Sequence, residues 1–343
     1  MTPSHQILVG DCIDMMRTLP DQSVQCCVTS PPYFGLRDYG VDGQTGLEAT
    51  PAEFVEALVK VFNEVRRVLR DDGTLWLNLG DSYSSGGRKT RDPDEKLLAR
   101  GASFRAQDGL PGKNLIGIPW KVAFALQAEG WYLRQDIIWQ KPNPMPESVT
   151  DRCTKAHEYV FLLSKQPQYY FDNQAIKEPA ACGSIGRAAD FDRSGNPVSE
   201  HIIPGQRFAQ HRPRPSAKRG SFEGKTEAMS DTGQNAFRAV VDLRNRRSVW
   251  TVPTRAFKEA HFATFPPDLI RPCILAGTPR GGIVLDPFGG AGTTAVVAMQ
   301  EGRKSILCEL NPDYAAMAER RIAAAWLDGA AQMDVFHDSL PAA

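Results

Sequence analysis

The sequence predicts an α/β protein with a Rossmann-like, mainly parallel sheet covered by helices on both faces. Apolar strand-like runs alternate with helix-like stretches through most of the 343 residues, a pattern typical of parallel sheets. Two of these runs end in unusual turns, one with two prolines and one rich in glycine. Ligands bind at the carboxyl ends of strands in such sheets, so the two turns mark a candidate site. Seven strands are predicted, at residues 6–10, 24–30, 74–80, 136–140, 159–164, 282–286 and 304–309.

Helices are predicted between these strands. The clearest is 51–70, where apolar residues recur at a spacing of three and four. Thr50 is its predicted N-cap, with Pro51 in the first helical position and Glu53 completing a capping box. Asp72-Gly73 is its predicted end. Further helices are predicted at 12–19, 118–129, 266–276 and 295–302.

The composition indicates a globular protein, with 42% hydrophobic and 23% charged residues. We expect no transmembrane helix, because no apolar run reaches the roughly 18 residues that a span requires. Residues 1–6 do not resemble a signal peptide. Seven cysteines without Cys-x-x-Cys pairs favour a reducing compartment and no structural zinc. A cytoplasmic protein with no metal site and no membrane association is therefore expected.

Basic residues are concentrated in one segment, 183–247. It holds ten Arg and two Lys against seven acidic residues, although the whole chain has a net charge of zero. Such asymmetry predicts a basic face for nucleic acid. The alternative is a solvated, partly disordered loop, because Gly, Pro, Ser and Arg dominate the segment.

A second long segment, 82–114, interrupts the alternation directly after a predicted strand. It is rich in glycine and charge. Loops of this length inside a domain are usually functional or disordered. We predict either a mobile clamp that closes over bound nucleic acid or plain disorder.

The proline-rich turn is Thr29-Ser30-Pro31-Pro32-Tyr33. The two prolines end the strand and fix a stiff corner, with Ser30 pushed towards extended geometry. Ser30 Oγ and the Pro31 carbonyl could accept the two protons of an exocyclic amine while Tyr33 stacks on its ring. Taken alone, the pattern fits an ordinary strand exit equally well.

The glycine-rich turn, Asp286 to Thr294, lies between a predicted strand and a helix. Its glycines permit close approach of a ligand, and a helix amino end favours anionic groups. Glu309 ends the next strand and is placed to hold a ribose hydroxyl pair. The turn lacks the Gly-Lys-Ser/Thr ending of a P-loop, which argues against a nucleoside triphosphate.

Taken together, the two turns resemble those of the amino-group DNA methyltransferases that use S-adenosylmethionine. The catalytic motif precedes the cofactor motif, as in the circularly permuted β class of that family. Three further segments resemble family motifs: Leu8 to Cys12 beside the cofactor adenine, Asp136 to Pro142 beside the target base, and His261 to Pro266 at the methionine part. The resemblance covers residues 6–172 and 248–326.

The resemblance implies a division of the chain and a set of site residues. Residues 1–172 and 248–343 would form the catalytic domain, and 173–247 the target-recognition region. The expected catalytic residues are Ser30, Pro31, Pro32 and Tyr33. The expected cofactor residues are Asp11, Cys12, Thr29, Thr264, Phe265, Pro266, Asp286, Pro287, Phe288, Gly289, Gly290, Gly292, Thr293, Thr294, Glu309, Leu310 and Asn311. The expected DNA-binding residues are Arg207, Arg212, Arg214, Arg219, Arg244, Arg246 and Arg247.

The implied activity is methylation of an exocyclic amine on a base flipped out of duplex DNA, with S-adenosylmethionine as methyl donor. Ser-Pro-Pro-Tyr is more typical of cytosine N4 enzymes and Asp-Pro-Pro-Tyr of adenine N6 enzymes, so cytosine N4 is favoured and adenine N6 is the alternative. An RNA or small-molecule methyltransferase, an inactive DNA-binding module and a nicotinamide-dependent oxidoreductase are more distant alternatives. Family membership also suggests a homodimer and a partner restriction endonuclease.

Overall fold

The computed structural model describes residues 5–36, 38, 40–84, 110–179, 243–254 and 265–338, with the backbone alone for 328–338. The chain divides into two compact units, Met1–Ile176 with Arg247–Ala343, and Lys177–Arg246. In chain order the elements are β1 (His5–Val9), α1 (Cys12–Arg17), β2 (Val24–Thr29), α2 (Pro51–Val68), β3 (Leu69–Leu79), α3 (Ile118–Ala128), β4 (Tyr132–Gln140), β5 (His157–Ser164), β6 (Glu178–Pro179), β7 (Leu243–Arg244), β8 (Val249–Thr251), α4 (Pro267–Gly277), β9 (Ile283–Asp286), α5 (Thr293–Gln300), β10 (Lys304–Glu309) and α6 (Pro312–Asp338).

The described part of the first unit is organised around an eight-stranded sheet with the order β1-β10-β9-β2-β3-β5-β4-β8. Strand β5 runs antiparallel to β3 and β4, whereas the other neighbouring pairs are parallel. The predicted α/β class and the mainly parallel sheet are confirmed. The predicted count of seven is one short, because β8 has only three residues and carries no recognisable pattern.

The junction between α2 and β3 differs from the prediction. The helix ends at Val68 and not at Arg70, and Asp72-Gly73 lies within β3. Leu69 continues the apolar spacing of the helix, but its backbone is extended (φ −68°, ψ 140°) and it pairs with Val24 of β2. Leu69 is buried. An apolar residue is expected at a buried position of either a helix or a strand, so the sequence does not show at which residue the helix ends. The predicted capping box is present, with Glu53 N donating to Thr50 Oγ1 over 3.2 Å.

Strand β2 lies in the middle of the sheet and is covered on both faces. Cys27 belongs to the core beneath α1, α2 and α3, whereas Cys26 and Val28 belong to the core beneath α4 and α5. Alternate residues of a strand point to opposite faces, so each cysteine enters a different core. Both thiols are fully buried, and burial raises the pKa of Cys26 to about 12.

The other predicted helices correspond to α1, α3, α4 and α5, with ends displaced by one or two residues. Helix α6 was not predicted, because its alanine-rich sequence has only a weak amphipathic pattern. Among the described helices, none combines the length and apolar character needed to cross a bilayer.

Candidate active site

A pocket opens at the carboxyl edge of the sheet, where β1, β2, β9 and β10 end. Parallel neighbours bring these four strand ends together, and the loops that follow them form the walls. The lining residues include parts of both predicted motifs: Gly10, Asp11, Cys12, Ser30, Pro31, Pro32, Tyr33, Phe265, Pro287, Phe288, Gly289, Gly290, Ala291, Thr293, Cys308, Glu309, Leu310, Asn311 and Tyr314.

The proline corner forms one wall of this pocket. Pro31 is buried, whereas Ser30 and Tyr33 are half-buried at the pocket surface. Among the residues that the structure describes, none hydrogen-bonds to Ser30 Oγ. A hydroxyl in this position can accept a hydrogen bond from a ligand in the pocket.

A buried carboxyl group joins the proline corner to the glycine-rich turn. Asp286, at the end of β9, accepts hydrogen bonds of 2.6 Å from Thr29 Oγ1 and from Thr294 Oγ1, and one of 3.1 Å from Phe288 N. Asp286 is 1% exposed. Burial raises its pKa to about 7, although the three hydrogen bonds act in the opposite direction. Asp286, Thr29 and Thr294 therefore form a linkage beneath the pocket wall.

The raised pKa of Asp286 predicts a pH dependence of stability. The folded state holds the proton of the Asp286 carboxyl more tightly than the unfolded state, in which this carboxyl has its ordinary pKa of 3.8. The stabilisation that the folded protein gains from this proton is fully present below about pH 4, and it is lost as the pH rises to about 7. Asp286→Asn should flatten this part of the curve, measured as unfolding free energy by urea titration between pH 4 and pH 8. Asp313→Asn, at an exposed position in α6, is the control and should retain the wild-type slope.

The glycine-rich turn is held from outside by α6. Gly292 has φ 74°, and a Cβ there would lie 2.9 Å from Ala318 Cβ. A side chain is therefore excluded both by the backbone angle and by the packing of the helix. Arg321 Nη1 donates to Ala291 O over 3.0 Å and to Thr293 Oγ1 over 2.8 Å. These contacts fix the start of α5 against the pocket.

Two carboxylates at the pocket are each held by backbone amides. Glu309 Oε2 accepts from Gly290 N over 2.7 Å, and its Oε1 accepts from Asn311 N over 2.9 Å. Asp11 Oδ1 accepts from Ile13 N and Asp14 N and caps α1. Burial raises the pKa of Glu309 above its ordinary value. Each carboxylate keeps acceptor capacity beyond these amide hydrogen bonds, so both groups can also bind ligand hydroxyl or amino groups.

Most of the predicted cofactor residues occupy two layers. Asp11, Cys12, Phe265, Pro287, Phe288, Gly289, Gly290, Thr293, Glu309, Leu310 and Asn311 line the pocket. Thr29, Asp286 and Thr294 lie beneath its wall and are buried. Pro266 and Gly292 precede α4 and α5 and do not line the pocket. Thr264 lies outside the described residues.

Sequence reasoning missed a loop that lines the same pocket. Leu36, Val41, Gly43, Gln44 and Thr45 contribute to the wall, and Gly35 N donates to Gly46 O over 2.9 Å to close the loop on itself. Gly35, Gly40, Gly43 and Gly46 all have positive φ. The repeated glycines directly after the proline corner are the signal that could have identified it.

The predicted DNA-binding residues are described only in part. Arg244 Nε donates to Glu178 Oε1 over 2.9 Å across the β6–β7 pair. The Arg247 carbonyl accepts from Trp250 Nε1 over 2.7 Å. Arg207, Arg212, Arg214 and Arg219 lie outside the described residues, as does most of the predicted clamp at 82–114. DNA contact by these residues stays a prediction.

Comparison with known proteins identifies the family. A family model of the N6/N4 type, described as DNA methylase, matches residues 24–320. The chain belongs to the DNA methylase family. The methylase is 45% identical to the Type II methyltransferase M.Cfr9I of Citrobacter freundii, over 91% of this chain and 86% of that one. It is 44% identical to the Type II methyltransferase M.SmaI of Serratia marcescens, over 93% and 91% of the two chains.

Solved structures share the fold of the methylase. TTHA0409 of Thermus thermophilus, a DNA modification methylase by assignment, was solved with S-adenosyl-L-methionine. It matches with a TM-score of 0.55 and 21% identity over 94% of both chains. The PvuII DNA methyltransferase, described as cytosine-N4-specific, matches with a TM-score of 0.54 and 19% identity over 94% of this chain and 93% of that one. At these identities the likeness establishes the fold alone.

The predicted family and the predicted methyl donor, S-adenosyl-L-methionine, are confirmed for the methylase. The residues of the pocket fit this cofactor. Glu309 and Asp11 offer carboxylate acceptors for hydroxyl and amino groups, and Pro287, Phe288 and Leu310 offer apolar surface for a ring. When bound, the cofactor supplies an electrophilic methyl group on a sulfonium centre.

Proposed function

We propose that the methylase is a site-specific, Type II enzyme that methylates the exocyclic N4 amine of a cytosine flipped out of duplex DNA. The observation that carries this proposal is that Ser30, a half-buried residue of the proline corner, lines the pocket. The corner and the predicted cofactor residues line one continuous pocket. A base and a methyl donor bound there would therefore be neighbours.

The proposed mechanism assigns the activation of the amine to the corner. The lone pair of an aromatic amine is delocalised into the ring, which makes the nitrogen a poor nucleophile. Ser30 Oγ and the Pro31 carbonyl accept its two protons in hydrogen bonds, and this favours the pyramidal nitrogen of the transition state. Tyr33 stacks on the base and aligns the nitrogen for in-line displacement. Once methylated, the nitrogen carries a positive charge and is strongly acidic, so it releases one proton to water. Neither a strong base nor a cysteine nucleophile is therefore required.

The choice of cytosine rests on the first residue of the motif. Resemblance to the family associates serine with cytosine N4 and aspartate with adenine N6. Serine presents a neutral hydroxyl that can accept hydrogen bonds and can also donate one, whereas aspartate would add a charge. Adenine N6 is the alternative target, since its amine could be bound by the same two acceptors.

Mass spectrometry of nucleosides from DNA methylated in vitro tests the target base. We expect deoxy-N4-methylcytidine in plasmid DNA after incubation with S-adenosyl-L-methionine. Detection of deoxy-N6-methyladenosine without deoxy-N4-methylcytidine would identify adenine N6 as the target and contradict the proposed cytosine N4. RNA and polymer-free reactions are the controls, and methyl transfer confined to either would contradict a DNA substrate.

The arginines at the end of the predicted target-recognition region, 173–247, are proposed to bind the DNA backbone. Arg246→Glu with Arg247→Glu should weaken binding of duplex DNA and reduce the salt dependence of its dissociation constant, because fewer counterions are released. Fluorescence anisotropy at several salt concentrations measures the slope. Arg244→Glu would face Glu178, its ion-pair partner, and so reports on local folding as well as on DNA binding.

Arg17→Glu is a matched control, since Arg17 pairs with Asp14 on the exposed surface of α1. An unchanged salt slope in the double variant would identify the basic segment as a solvated surface.

We also propose a homodimer and a cognate restriction endonuclease, the latter by analogy with relatives named Type II methyltransferases.

A further inference from the structure

The hydroxyl of Tyr33 is bound to a protein carboxylate. Tyr33 Oη donates to Glu158 Oε2 over 2.6 Å and lies 3.2 Å from Asn78 Oδ1. Tyr33 itself lines the pocket, whereas Glu158 and Asn78 do not. A tyrosine has only one hydroxyl proton to donate. The short contact therefore commits that proton to Glu158, and the hydroxyl has no second proton to donate to a ligand.

Glu158 is itself held in place from two sides. Lys141 Nζ forms an ion pair with Glu158 Oε1, and Asn78 Nδ2 lies 3.4 Å from Oε2. The side chains of Glu158 and Lys141 are only 14% and 18% exposed. At this degree of burial, solvent screens the attraction between the two charges less than it does in a surface ion pair.

The ion pair is anchored by the hairpin of β4 and β5. Trp139 pairs with Glu158 across these antiparallel strands, and Lys141 Nζ lies 4.3 Å from the centroid of the Trp139 ring. The Trp139 indole in turn donates to Val252 O over 2.8 Å. Both members of the pair are therefore fixed by the sheet, and the position of the carboxylate is set before any ligand binds.

The ring of Tyr33 is confined on its other side by Gly80. A Cβ at Gly80 would lie 2.5 Å from Tyr33 Cε2 and 2.9 Å from Cδ2. Contacts this short exclude every other residue at position 80 unless the ring moves. The tyrosine is thus tethered at its hydroxyl and packed closely along its edge.

We propose that Glu158, fixed by Lys141, is a positioning residue that holds the Tyr33 ring where it stacks on the flipped base. This inference rests on the proposed function, because stacking by Tyr33 is part of it. Glu158 contacts neither substrate nor cofactor in this proposal. It acts through Tyr33, and the effects of changing Glu158 and of removing the Tyr33 hydroxyl should therefore overlap.

A double-mutant cycle of Glu158→Gln and Tyr33→Phe tests the overlap. Each single variant should lower kcat by about 10-fold, since a small displacement of an aligning group is costly. The double variant should be no slower than the slower single variant. The dissociation constant for S-adenosyl-L-methionine, measured by calorimetry, should stay within twofold of the wild-type value in all three. Glu147→Gln is the matched control, since it breaks the ion pair with Arg152 and should leave kcat unchanged.

A second readout does not depend on methyl transfer. A fluorescent base analogue replaces the target base in a duplex that contains the site methylated by the wild type. The analogue should brighten when the wild-type enzyme binds and extrudes it. Emission should be higher still with either single variant. A displaced Tyr33 ring stacks less well on the extruded base and therefore quenches its fluorescence less. No brightening with wild type would count against base flipping, and so against the proposed function itself.

Two outcomes would overturn the positioning role while leaving the proposed function intact. One is a double variant whose loss in kcat is the product of the two single losses. The other is a Tyr33→Phe variant with wild-type kcat and wild-type emission, which decides the matter even if Glu158→Gln does not fold. Melting temperatures of all variants establish which ones are folded.

Discussion

Ser30→Ala should reduce kcat by about 100-fold or more, the range seen when one positioned hydrogen-bond partner of a transition state is removed. Ser30 Oγ is proposed to accept one of the two amine protons, and alanine offers no acceptor in its place. The Kd for S-adenosyl-L-methionine should change less than twofold, because the proposed contacts of Ser30 are to the base. Single-turnover methylation and calorimetry measure the two quantities separately.

Ser23→Ala is the matched control for this substitution. Ser23 lies just before the opposite end of the same strand, β2, and its hydroxyl donates to Pro20 O over 2.7 Å. Its loss should affect stability modestly and leave kcat near the wild-type value. A Ser30→Ala enzyme that keeps more than a third of wild-type kcat would remove Ser30 from the mechanism and leave the Pro31 carbonyl as the main acceptor.

The sequence predicted most of the sheet because its central strands carry strong local signals. Strand β2 combines a continuous apolar run with two terminal prolines, and strand β9 leads into the glycine-rich turn. Signals of this kind depend only on neighbouring residues and survive any tertiary arrangement. The direction of β5 could not be read in the same way. A buried antiparallel strand and a buried parallel strand have the same apolar pattern, and only the pairing distinguishes them.

The contacts that hold Tyr33 in place also depend on strand pairing, which local sequence patterns do not reveal. Lys141 and Glu158 are 17 residues apart, and their contact depends on the register of the β4–β5 hairpin. No local pattern in the sequence indicates this contact, since neither the neighbours of Glu158 nor its spacing points to a partner. The burial of Asp286 likewise could not be read from the sequence. The cofactor motif includes it, but its burial beneath the wall follows from the packing of β9 between β2 and β10.

Glu309→Ala should raise the Kd for S-adenosyl-L-methionine by roughly 10- to 100-fold, equivalent to about 1.5–3 kcal/mol for hydrogen bonds to a charged group. Glu309 is proposed to accept the ribose hydroxyls, and it also orders the pocket through Gly290 N and Asn311 N. Glu309→Gln separates the two contributions, because an amide preserves the size of the side chain while placing an N–H group near these backbone donors. We expect an intermediate Kd for this variant by calorimetry. Glu129→Gln, at an exposed position after α3, is the control. A wild-type Kd in Glu309→Ala would show that the cofactor ribose is bound elsewhere in the pocket, with Asp11 as the next carboxylate to test.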